Sequence, residues 1–515
     1  MVNIVGSTAP DFLTATGPGD RLFGLQGDDT LRSDFGDTLM NGGSGDDRLQ
    51  QNVTLDDVFE YADTSFFKAG SGDDRVVLRN TLDLTDSPAL SDFSQVEIDQ
   101  TIQTESGDDF VFVDNRINAS VSPFTGFGVS ASIATQLVDL IGDNQIILRN
   151  TLFTLEGSQG VVTDVELGGG DDVVRYEGET IDFSSFIQSS HSFDLGDGDN
   201  RFVFNDESGD LDFDLTSGSG RDVINIDSFI SDLNTIGLRG TYDISTGGGD
   251  DVVMFEVNVF DGPSNTADTS IDLGDGDNFL RLTQNTPGVV DVDAGDGNDR
   301  LLLVVDTSVP FFEASSDTVV DVDLGDGDNH ATVAFTISEP FAEFDFSIRS
   351  GDGNDRVDYD ADINLTGSFE GLPDRFGGQI DTGGGNDRIN LNFADVMLTT
   401  GDGADIVRFD QSAITERPVD SGDPSIELNP GHNTVVLTDF DFEAGDRFIF
   451  TGFDTVTTLR SVDDLSLMVD SGEAVGLANV GGDLLLDVEN DAGEIATIIF
   501  EGLGDFENPG DLTLL

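Results

Sequence analysis

Apolar and polar residues alternate along most of this chain in short runs that flank glycine-rich corners. VDVDA at 290–294 and VDVDL at 320–324 lead into such corners, and RFVF at 201–204 and RLLLVV at 300–305 lead out of them. A period of two places alternate side chains on one face, so both kinds of run predict strands with an apolar inner face. Helical periodicity is nearly absent through residue 405.

The corners repeat. Fourteen are built on G-x-G-x-[DN], with the second glycine at 45, 72, 107, 142, 170, 198, 220, 249, 276, 297, 327, 353, 385 and 403. Their spacing runs from 18 to 35 residues and averages about 28. Glu105 and Leu140 replace the first glycine in two of them, yet every corner keeps an Asp in one of the two positions after the second glycine. Where the later position is Asn, at 144, 200, 278 and 329, the earlier one is Asp, which reads as a requirement for a carboxylate. LRNTL stands at 78–82 and again at 148–152, two repeats later. Tandem units of strand, corner, strand and variable connection stack as a solenoid. The expected fold is all-β: a parallel β-solenoid of about 28 residues per coil, with one such corner per coil over residues 51–405.

Both ends depart from this pattern. In residues 1–50, DRL at 20, DTL at 29, DTL at 37 and DRL at 47 follow one another at nine, eight and ten residues, which predicts two corners per coil. Residues 406–431 read as a linker. Residues 432–515 read as a small, mostly-β module with a short helix in LRSVDDLSLMV and strands near Leu484–Val488 and Ile495–Phe500.

Charge sharpens the picture. The chain carries 102 acidic and 22 basic residues, a net charge of -80 that opposes compaction by self-repulsion. It is nevertheless 37% hydrophobic and holds 39 Phe, more apolar content than an acidic disordered tail. Folding with the help of cations is expected. Nucleic acid and anionic membrane surfaces, whose binding depends on a basic patch, are expected to be poor partners for such a charge. No 18-residue apolar run predicts a membrane span. Cysteine is absent, so no disulfide or thiolate site forms.

Glycines at alternate positions allow positive φ and turn carbonyl oxygens inward, while the following Asp adds charge. Such oxygen-only, flexible coordination suits Ca²⁺ better than Mg²⁺. Two carboxylates ~5 Å apart repel by roughly 3 kcal/mol at an effective dielectric of 20. A divalent ion between successive corners reverses that sign. DLGDGDNRFVF and DAGDGNDRLLL lack the Gly, Glu and flanking helices of an EF-hand, and no helix follows them to make a phosphate loop. Adaptation to salt raises acid content everywhere, but it does not place Asp in register after G-x-G.

GGSGDDRL (42–49), GGGDDVV (168–174), AGDGNDRLLL (294–303) and TGGGNDRIN (382–390) resemble the RTX, or hemolysin-type calcium-binding, repeat G-G-x-G-x-D-x-U-x. The resemblance implies several Ca²⁺ ions between neighbouring turns, held by the Asp after the second glycine and by turn carbonyls. Carried over by position, it names Asp47, Asp74, Asp109, Asp172, Asp222, Asp251, Asp299, Asp355, Asp387 and Asp405. Asp143, Asp199, Asp277 and Asp328 are the expected substitutes where Asn follows, and the nonamer-like segment adds Asp20, Asp29 and Asp37. VLTDFDFEAGDRFIF resembles a capping element of RTX cargo, and the terminal DLTLL resembles the ending of type I secretion substrates. With no basic and apolar leader in MVNIVGSTAPDF, the resemblance implies secretion by that route and folding outside the cell.

His191, His330 and His432 stand in unrelated contexts, no H-E-x-x-H or G-x-S-x-G occurs, and the repeats leave no room for a catalytic domain, so no enzyme is expected. Fourteen rungs at ~4.8 Å make a rod of roughly 65 Å. The first expectation is a secreted structural protein that folds and self-assembles with Ca²⁺ at the cell surface, its partner a further copy of itself. The second is a calcium-dependent adhesin or glycan-binding module that meets a cell-surface polysaccharide through connections such as 117–136 and 306–318. Arg48, Arg75, Arg201, Arg300, Arg356 and Arg388 recur at one register position and read as a solvated outward face.

Overall fold

The computed structural model describes the chain apart from residues 57–60, 84–93, 120–128, 139–140, 155–159, 183–187, 231–237, 260–264, 308–316, 338–343, 364–375, 393–395, 412–413, 415–433, 453–456, 472–473, 491–494 and 504–515. The terminal DLTLL, most of the expected linker and the centres of both variable connections lie outside the described residues. The protein is 67% strand and 2% helix, a parallel β-solenoid. It divides into two compact units, Met1–Thr269 and Ser270–Leu515.

In the first unit, strands that enter the corners form one sheet and strands that leave them form a second. Each strand pairs in parallel with its counterpart one rung on. Arg75–Asp83, Phe110–Ala119, Gln145–Thr154 and Val173–Asp182 run in unbroken register, so that Val76, Val111, Ile146 and Val174 stack in one column. The alternation read from the sequence is the burial pattern, as in Arg201–Ser208, where every second residue is buried. Asn3 pairs with Arg21 and Arg21 with Leu39, while Phe12 pairs with Thr30 and Thr30 with Arg48. These 18-residue offsets give the N-terminal coils two corners each, as expected.

The interior of this unit holds more than apolar groups. The duplicated LRNTL puts Asn80 and Asn150 in one inward column with Asn115, and the amide of Asn80 donates to Asn115 at 2.9 Å. From the facing sheet, Gln100, Thr135 and Thr163 stack in register, and Gln100 Oε1 accepts from Asn115 at 3.0 Å. Buried amides are affordable only when they bond one another. His191 continues that facing column and is fully enclosed; burial pushes its imidazole down to about 3, so it stays neutral.

In the second unit the parallel ladder runs further than expected. Ile406–Asp410 extends the sheet through Arg388–Leu391 and pairs with Arg447–Thr451, and Thr434–Leu437 pairs with Val396–Thr399. Residues 406–410 are therefore strand rather than linker, and the module expected from 432 contributes one more rung. Beyond it the pairing turns antiparallel, Arg447–Thr451 with Thr457–Leu459, and Ile495–Phe500 with Asp483–Glu489. The expected short helix spans Val462–Ser471. Phe440, Phe448 and Phe500 pack together here, with ring centroids 5.6 to 6.4 Å apart. His330 is half-buried, with Nε2 3.0 Å from Asp358 Oδ2.

Close stacking leaves no space for side chains at the corner glycines. Gly198 has φ +135°, and a Cβ there would strike the Gly170 carbonyl, whereas a Cβ on Gly17 meets nothing within 4 Å. We expect Gly198→Ala to cost more than about 1 kcal/mol and Gly17→Ala to leave the melting temperature unchanged, as read by thermal unfolding in the presence of calcium.

Candidate metal column at the corner

The two positions after the second glycine point to opposite sides, as neighbours in extended chain must. The later one faces inward. Asp29, Asp47, Asp74, Asp109, Asp172, Asp222, Asp251, Asp299, Asp355, Asp387 and Asp405 are all buried there. Each accepts a backbone N–H from the rung before: Asp29 N donates to Asp47 Oδ1 at 2.8 Å, Asp47 N to Asp74 Oδ1 at 2.7 Å and Asp74 N to Asp109 Oδ1 at 2.7 Å. In the second unit, Asp355 N donates to Asp387 and Asp387 N to Asp405, both at 2.8 Å.

Asn144, Asn200, Asn278 and Asn329 occupy the same inward slot, and Asn144, Asn200 and Asn329 accept the same bond, from Asp109 N, Asp172 N and Asp299 N. The expected substitutes stand elsewhere. Asp143 and Asp199 lie in an exposed column with Asp46, Asp73, Asp108 and Asp171, and Asp277 and Asp328 lie in its counterpart in the second unit. This outer ladder runs the opposite way: Asp143 N donates to Asp108 Oδ1 at 3.1 Å and Asn354 N to Asp328 Oδ1 at 2.8 Å. Side-chain direction, which the letters alone do not carry, is why an Asp at the earlier position cannot replace one at the later.

The remaining atom of the slot separates the rungs. In the Asn rungs Nδ2 donates to corner carbonyls: Asn200 to Gly196 and Gly198 at 3.2 Å, Asn278 to Gly274 at 3.0 Å, and Asn329 to Gly325 at 3.1 Å. In the Asp rungs that position is Oδ2, an acceptor. The Oδ2 atoms of Asp29, Asp47, Asp74, Asp299 and Asp405 are buried and make no hydrogen bond, while the buried carboxyls of Asp355 and Asp387 have the hydroxyls of Ser350 and Thr382 beside them. Two of those Oδ2 atoms stand against backbone oxygen: a Cβ on Gly24 would strike both Asp29 Oδ2 and the Gly42 carbonyl, and one on Gly42 both Asp47 Oδ2 and the Ala69 carbonyl. Acceptors converging without a donor suit a cation or a proton.

Elsewhere a donor fills the slot. Ser217 Oγ donates to Asp222 Oδ2 at 2.7 Å. Asp20, at the other corner of its coil, receives Thr16 N, Thr16 Oγ1 and Gly17 N at Oδ2, and these bonds, the Thr16 hydroxyl first, hold it down at about 2. Asp37 is exposed at φ 55°, and Thr38 takes the inward place beside it. Asp446 is a member that the repeat pattern missed: Asp405 N donates to its Oδ1 at 2.9 Å and Asp441 N to its Oδ2 at 2.8 Å. Its only signal is G-D-R-F at 445–448, which repeats the end of the corner motif without its start.

In the Asp rungs the donor set fits a hard cation: one inward carboxylate with backbone carbonyls near it. Among the described residues no three acidic or imidazole side chains converge, so backbone oxygens must supply most ligands. Burial pushes the carboxyls up, Asp47 to about 6, Asp299 and Asp405 to about 7, and Asp74 to about 8, with the neighbouring carboxylates adding to the effect. Searches against models of protein families, curated proteins and solved structures return no match for the chain.

A carboxyl raised in the folded state stabilises below its unfolded value of 3.8 and loses that contribution as pH rises through the folded one. The metal-free protein is therefore expected to lose stability between about pH 4 and pH 8, measured by urea unfolding in chelator across that range.

Proposed function

We propose that this is a calcium-folded structural protein, secreted to the cell surface or its surroundings, that assembles there with copies of itself. The observation that carries the calcium part is the contrast within one column, where Asn rungs close on their own carbonyls and Asp rungs leave a buried oxygen facing carbonyls. Asp29, Asp47, Asp74, Asp299 and Asp405 would hold the ions through Oδ2, together with corner carbonyls. A bound divalent cation supplies positive charge where like charges and lone pairs meet. The chain's own residues align it: Oδ1 is anchored by a neighbouring backbone N–H, which leaves Oδ2 a single direction. Millimolar calcium outside the cell, against micromolar or less inside, couples folding to export. A structural role is further supported by His191, which is sealed in the core as a neutral group, and by His330, which is engaged with Asp358.

Replacing Asp47, Asp74, Asp299 and Asp405 by Asn supplies the missing N–H donors. The fourfold variant should bind fewer calcium ions by isothermal titration calorimetry and be more stable than wild type in chelator. Asn200→Asp should do the reverse, costing about 1–3 kcal/mol in chelator, with calcium restoring the loss. A wild-type protein whose unfolding midpoint ignores calcium would sink the metal reading.

A further inference from the structure

We propose that one outward face of the first unit is a docking surface for a second copy of this chain. The proposal rests on the assembly reading above and names the surface that carries it. The strands that leave six successive corners, from Arg48–Asp56 to Arg201–Ser208, stack in register. Their three outward columns nearest the corner hold Arg48, Arg75, Arg79, Arg149, Arg175 and Arg201 against two acids, Asp114 and Glu177. That is six of the 22 basic residues in a chain of net charge -80.

Between the arginines stand apolar side chains, notably Phe110, Phe112, Ile147 and Val173. Arg75 lies 4.0 Å over the Phe110 ring, and Arg79 and Arg149 lie 4.9 and 5.8 Å from that of Phe112. Val77 faces outward by register yet is only 4% exposed, so its neighbours have closed over it. Arg149 and Arg175 share Glu177 at 2.7 and 2.6 Å. Arginine and aromatic enrichment without lysine is the composition of an interface core, and stacked guanidinium groups are already ordered before a partner arrives.

The acidic complement lies beside it. Asp46, Asp73, Asp108, Asp143, Asp171 and Asp199 form the exposed column at the corner edge of the same six rungs, each two residues before the first arginine column. Both stripes repeat at the strand spacing of ~4.8 Å. Two copies facing each other about a two-fold axis parallel to these stripes, with their strands antiparallel, set each arginine stripe on the other's carboxylate column, a self-complementary contact. An acidic ligand of another kind would use only half of this pattern.

The test is sedimentation velocity in calcium at low and high salt, with circular dichroism to confirm folding. Wild type should dimerise, and more weakly as salt rises. Arg75→Glu with Arg79→Glu should fold at the same calcium concentration but associate at least tenfold more weakly, and Asp73→Asn with Asp108→Asn, which keep the oxygens that accept Asp108 N and Asp143 N, should fold alike and also associate more weakly. An equimolar mixture of the two variants should recover part of that association. If the arginine variant associates like wild type, or the mixture fails to recover, the interface is wrong. If folded wild type stays monomeric, or instead binds an acidic polysaccharide through these arginines, the proposal is overturned while calcium-dependent folding stands. An absence of any calcium response marks failure of the metal reading alone, because dimerisation is scored independently.

Discussion

Everything in this structure depends on one bond: a backbone N–H at a tight corner donating to the short side chain of the next rung. A corner of glycines exposes amide groups that strand pairing cannot satisfy, and unsatisfied amides inside a packed stack are costly. Asp and Asn are the side chains whose oxygen sits at the right reach when the neighbouring rung is one strand spacing away. The inner and outer ladders use the same chemistry in opposite directions, so that in a corner such as Asp73–Asp74 two consecutive N–H groups are satisfied by side chains of the rungs on either side.

The acidity of the chain follows in part from that bond. Filling the inward slot with Asp secures Oδ1 and leaves Oδ2 beside carbonyls, a position that favours a cation or a proton. Filling it with Asn uses the amide to close the corner. A column that mixes the two has rungs closed by their own amides and rungs that keep a buried acceptor to spare. Among the described residues, the Oδ2 atoms of Asp29, Asp47, Asp74, Asp299 and Asp405 are of the second kind.

Much of the fold was legible because its signals are local. Alternation in RFVF and VDVDL marks strands, glycine spacing marks rungs, and the nonamer-like spacing before residue 50 marks coils with two corners. The polar interior was not legible, since Asn80, Asn115 and Gln100 look like ordinary strand residues until register brings them together. Nor was Asp446, whose corner keeps the final Asp and loses the glycine pattern before it.

The sequence by itself determined that the corners recur, that each carries acid, and that strands flank them, because period and composition are properties of a chain read in order. Only the tertiary structure decided which acid of each pair turns inward. Adjacent side chains in extended backbone point to opposite sides, and which side is interior depends on the sheet stacked across from it. That choice separates Asp328, which bonds outward, from Asn329, which closes its own corner, and sets both apart from Asp74, whose buried Oδ2 makes no hydrogen bond.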